Sequence, residues 1–109
     1  MVSIKIEKRQ DASTRKVFTA VKRAFPDVPD EIGEVVYRYN PVAVRIRVVS
    51  NSLMGLDDTQ RDDAVMGALK ELPKEVRDNI TMILAYTPDE LEEWDYMMKE
   101  FDDPSRSRL

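Results

Sequence analysis

The chain has 109 residues, the size of one domain: domains run ~100–150 residues, and chains below ~40 need covalent or metal staples. It is 42% hydrophobic and 35% charged, with a formal net charge of −4, which excludes collagen-like, low-complexity and disordered classes. It contains neither cysteine nor histidine, so disulfides, thiolate nucleophiles and zinc–sulfur sites are closed to it, as is the side chain that most often serves as general base and metal ligand.

No stretch approaches the ~20 apolar residues of a membrane helix, and the first residues lack the apolar run and cleavage site of a secretory leader. A cytoplasmic protein without membrane contact is the expectation. Charge is uneven along the chain: the first 26 residues carry +5 and the remainder −9. A basic leading segment attracts phosphate and an acidic remainder repels it, although solvated helix faces account for both.

Val2, Ile4 and Ile6 alternate with Ser3 and Lys5, which allows a short strand; otherwise residues 1–12 read as extended or flexible. Ser13 or Asp11 caps a helix over 13–25, in which Val17, Val21, Ala24 and Phe25 repeat at helical spacing opposite Arg15, Lys22 and Arg23. Pro26 and Pro29 end it. Val35 to Val49 reads as strand, turn and strand around Asn40-Pro41. Val44, Ile46 and Val48 face one way and Arg45 and Arg47 the other, the alternation of a sheet covered on one face.

Asp57 or Asp58 caps a second helix with Ala64, Val65, Ala68, Leu69 and Leu72 as its buried stripe. Pro73, suited to a first helical position, opens a separate short helix over Lys74–Asn79. Ile80, Met82, Leu84 and Tyr86 alternate with Thr81, Ile83 and Ala85 in a last strand. Thr87-Pro88-Asp89-Glu90 is a capping box, and Leu91, Trp94, Met98 and Phe101 stripe a final helix. The expected fold is α+β with the order α-β-β-α-α-β-α: a two-layer sandwich of a three-stranded mixed sheet with helices on one face. Residues 1–101 form one domain, and the polar tail 102–109 is disordered.

The run Val49-Ser50-Asn51-Ser52-Leu53-Met54-Gly55, followed by Arg61 and a helix, resembles the BolA family. So does Ile80 to Glu90, ending Tyr86-Thr87-Pro88-Asp89-Glu90. The family is similar in fold to type II KH domains, and its element order is the one derived above. The resemblance implies association with a monothiol glutaredoxin around a shared [2Fe-2S] cluster, held by a histidine in an Arg-His-Arg stretch and a Cys or His in the first hairpin loop. Here Asp62 stands at the histidine position and the loop is a tight turn at Asn40-Pro41, so the cluster ligands are missing and only a scaffold or docking role carries over. No cofactor and no metal cluster are expected. Arg61, Gly55 and Leu53 in the retained stretch are candidate partner-interface residues. Met97 and Tyr96 join them, because Met97, Met98, Trp94 and Tyr96 cannot all pack on one stripe of the last helix.

Arg38, Arg45 and Arg47 on the hairpin, with Lys16 and Arg23 on the first helix, are candidate nucleic-acid contacts. Against that reading, Tyr37 and Tyr39 fall on the face opposite Arg38, and the phosphate-clamping GxxG loop of KH domains is absent. Asp57, Asp58, Asp62 and Asp63 crowd the start of the second helix, where carboxylates complement the helix dipole without any metal. No catalytic residue stands out. The expected function is a non-enzymatic interaction or regulatory adaptor, with a nucleic-acid-binding KH-like domain as the alternative.

Overall fold

The computed structural model describes residues 8–90. The expected strand at 2–6, the final helix with Tyr96 and Met97, and the tail at 102–109 lie outside the described residues. In chain order the elements are α1 (Ala12–Ala24), β1 (Val36–Asn40), β2 (Ala43–Val49), α2 (Asp58–Leu69), α3 (Lys74–Asp78) and β3 (Ile80–Tyr86), with single 3-10 turns at Ile32–Glu34, Asn51–Leu53 and Pro88–Glu90. The fold is α+β, built on a mixed sheet in the order β1-β2-β3. β1 and β2 are antiparallel, while β2 and β3 are parallel.

Each helix start is fixed by local chemistry. Asp11 caps α1: its carboxylate accepts the Thr14 N–H at 2.9 Å, and the Thr14 hydroxyl accepts the Asp11 N–H at 2.8 Å. Asp57 and Gln60 form the same reciprocal box on α2, at 2.8 and 2.9 Å. Such caps stabilise a helix by roughly 1 kcal/mol each. Pro73 occupies the N-cap of α3, one position before the first helical residue where it was expected. In the hairpin turn the Asn40 side-chain oxygen accepts the Val42 N–H at 2.9 Å, the local mimicry that makes Asn a turn residue.

The core lies between the two layers. Val17 and Val21 of α1 and Val65 and Leu69 of α2 pack on Val36, Val44, Ile46 and Val48 of the sheet, with Leu53 and Val76 closing the ends. Full burial of such a side chain stabilises by ~1.5–3 kcal/mol relative to exposure. On α1 the buried stripe is Thr14, Val17 and Val21, continued by Phe25 at the C-cap, whereas Ala24 is exposed.

β3 departs from strict alternation. Val44 pairs with Ile80 but Arg45 pairs with Met82, so Thr81 is an extra residue without a register partner. This bulge turns Ile80, Ile83 and Ala85 together onto the core, leaving Met82, Leu84 and Tyr86 in register with the face of Arg45 and Arg47.

Candidate functional site

The far face of the hairpin differs from the solvated surface that alternation implied. Arg45 and Arg47 are each only 8% exposed. Arg47 donates from Nε to the Glu34 carbonyl at 3.0 Å and from Nη2 to the Glu34 carboxylate at 2.7 Å. The Arg45 guanidinium stacks 3.9 Å from the centroid of the Tyr39 ring, and its Nη1 donates to the hydroxyl of buried Tyr37 at 3.4 Å. Tyr37 and Arg45 are direct cross-strand partners, which is why they meet. Lys8 lies over the other tyrosine, 5.4 Å from the Tyr37 centroid.

Arg38 is on the opposite, helix-facing side at the sheet edge. Its Nε pairs with Asp11, and its Nη1 donates to the Pro41 carbonyl at 3.0 Å and to the Asn79 side chain at 3.1 Å. All three hairpin arginines therefore hold internal contacts. A guanidinium buried against tyrosine or closed onto a carboxylate presents little charge to a phosphate backbone.

The Ser50–Gly55 loop after β2 and Arg61 beyond it divide in the same way. Leu53 is fully buried in the core, and Arg61 is 8% exposed. Arg61 donates to the carbonyls of Leu56 and Ala85 at 3.0 and 3.2 Å, and grips both carboxylate oxygens of Glu90 at 2.7 and 2.9 Å. That grip, supported by the Thr87 N–H, holds the Glu90 carboxyl at about 2, well below its ordinary 4.5. The same carboxylate raises the Arg61 pKa further. Gly55 is exposed with φ +85, in the left-handed region that glycine adopts without a Cβ penalty. Behind this loop, Asp27 accepts the Ser50 hydroxyl at 2.7 Å and the Asn51 N–H at 2.9 Å, and these donors lower its pKa.

The cluster ligands implied by the BolA resemblance do not fit this donor set. Asp62 is exposed on α2, beside a shallow cleft of about 210 Å³ that also meets Asp58, Arg61 and Tyr86. Carboxylate oxygen is a poor ligand for cluster iron, and the hairpin turn offers only Pro41 and Val42 between its strands. Among the described residues no group of three or more acidic side chains converges as a cation site. Asp57 is engaged as a cap instead.

Lys16 and Arg23 do come together. They line a groove of about 340 Å³ between α1 and α2, to which α1 contributes Arg15, Lys16, Thr19, Ala20 and Arg23. Ala68 of α2 and the following Glu71 and Leu72 form the other side. Arg15, Lys16 and Arg23 are exposed and, among the described residues, form no ion pair; Lys22, Arg38, Arg47, Arg61 and Lys74 all do. Arg15 was not among the candidates. Its signal was positional: residues 15, 16, 19 and 23 share a helix face turned away from Val17 and Val21.

No protein-family model matches the chain, and neither a curated protein nor a solved structure is significantly similar to it.

Proposed function

We propose that the chain is a non-enzymatic interaction domain, an adaptor of BolA-like build that does not ligate an iron–sulfur cluster. The α1–α2 groove carries this reading, because it joins cations that form no ion pair among the described residues to apolar ground on an open surface. Interfaces combine these features, with an apolar centre and a polar rim. Asp62 in place of histidine supports the loss of cluster chemistry without touching the docking role.

The resemblance makes a monothiol glutaredoxin the first partner to try. Calorimetric titration with the purified glutaredoxin, apo and cluster-loaded, should give saturable binding without a histidine-type cluster spectrum. Absence of heat with both forms removes that partner, and a histidine-type signal contradicts the metal-free reading. Arg15, Lys16 and Arg23 also suit phosphate, which keeps nucleic acid as the second reading. Oligonucleotide binding that falls steeply with salt would favour it, since phosphate contacts release counterions.

A further inference from the structure

We propose that the groove between α1 and α2 docks an acidic amphipathic helix of a partner protein. The proposal rests on the interaction-domain reading and names the chemistry of its partner.

Charge complementarity selects an acidic occupant. Arg15, Lys16 and Arg23 line the groove against the single carboxylate of Glu71, and none of the three cations is neutralised by an ion pair among the described residues. In a chain of net −4, three unpaired cations around one depression form a local positive field that attracts acidic side chains and repels basic ones.

The floor selects a protein over a nucleic acid. Ala20, Ala68 and Leu72 are half-buried, so the bottom of the groove is apolar, and Ala20 and Ala68 on facing elements leave it shallow enough for a third backbone to approach. A phosphate backbone has no apolar side chain to set there. No aromatic residue lines the groove, so a base has nothing to stack on.

Geometry selects a helix. Arg15 and Arg23 are eight residues apart on α1, about 12 Å along its axis at the helical rise. A helix lying parallel or antiparallel to α1 meets them with carboxylates two turns apart, and sets the apolar residues between those carboxylates onto Ala20, Ala68 and Leu72.

The test uses three fluorescent probes of similar length. One is an amphipathic helical peptide with glutamates two turns apart flanking leucine and alanine; the second is its glutamate-to-lysine counterpart; the third is single-stranded oligo-dT. Anisotropy titrations should show binding of the acidic peptide and none of the basic one. Arg15→Glu/Arg23→Glu should weaken the acidic peptide by about tenfold or more, and Glu71→Lys should tighten it by about two- to fivefold. All three positions are exposed, and a gain of affinity in Glu71→Lys cannot come from unfolding.

The proposal is overturned if the acidic peptide fails to bind, if oligo-dT binds more tightly, or if both charge variants leave the affinity unchanged. Glutaredoxin binding that persists undiminished in Arg15→Glu/Arg23→Glu removes this groove as the docking site while leaving the adaptor reading in place.

Discussion

Arg61, in the first turns of α2, grips Glu90 by both carboxylate oxygens across 29 residues of chain. The same guanidinium bonds the carbonyls of Leu56 and Ala85, so one side chain ties the loop before α2, the end of β3 and the turn after it. Arg61→Ala should lower stability by roughly 2 kcal/mol, because it removes four charge-assisted hydrogen bonds to half-buried acceptors together with the packing of a nearly buried side chain. Arg61→Lys should recover only part of this, since a point charge cannot make the fork.

The pair also sets an acid limb. Glu90 has its pKa lowered in the folded state from 4.5 to about 2, so the folded state resists protonation there more than the unfolded chain does. Its stabilisation is fully present above the ordinary value and is lost as pH falls from 4.5 towards 2. Urea midpoints of the natural chain and Glu90→Gln should differ at neutral pH and converge in acid; a constant difference across that range would contradict the assignment.

The secondary structure was legible in the sequence because period and punctuation agreed, as at Asn40-Pro41 and in the Val44-Ile46-Val48 alternation. Burial of charge was not. Arg61 stands on the line of Val65 and Leu69, and Thr14 on that of Val17 and Val21, each four or three residues before an apolar position. A polar residue on an apolar stripe was the available signal that its polar atoms find partners inside. Arg45 and Arg47 offered no such signal, because alternation gives the face a side chain takes and not what covers it. Glu34, the partner of Arg47, lies in a 3-10 turn that no periodicity marks. The bulge at Thr81 was hidden as well, since Ile80 to Tyr86 is uncharged throughout and either side could face the core.

Asp11 does two jobs that substitution can separate. It caps α1 through the Thr14 N–H and pairs with Arg38, whose side chain is 14% exposed at the sheet edge. Asp11→Asn keeps a cap-forming oxygen and removes the charge, for an expected loss of about 0.5–1 kcal/mol, while Asp11→Ala removes both, for about 2 kcal/mol. Thermal unfolding of the two variants reads the difference. Equal losses would mean that the cap contributes nothing here.

Arg45→Ala/Arg47→Ala should destabilise by roughly 2–4 kcal/mol, through lost packing on Tyr39 and Tyr37 and the broken link to Glu34. Arg15→Glu/Arg23→Glu should stay within about 0.5 kcal/mol of the natural chain, as exposed changes away from the core do. Urea denaturation of both doubles checks the contrast. It also decides how a binding loss in the hairpin variant is interpreted: at temperatures where that variant is partly unfolded, the loss follows its stability rather than any phosphate contact.

Two glycines make opposite predictions from equally open surroundings. A Cβ added at Gly55 or at Gly67 meets no atom within 4 Å beyond the adjoining residues and, for Gly67, the backbone of its own helix, so packing against the rest of the fold does not distinguish them. Their backbones do. Gly55 has φ +85, a conformation that costs an L-residue about 1 kcal/mol, so Gly55→Ala should destabilise by that amount. Gly67 lies inside α2, where glycine is about 0.8–1 kcal/mol worse than alanine, so Gly67→Ala should stabilise by nearly as much. Because the exposed surface barely changes in either case, the slope of the urea transition should stay constant while its midpoint moves down for Gly55→Ala and up for Gly67→Ala. A shift of the same sign in both would show that backbone conformation does not govern these positions.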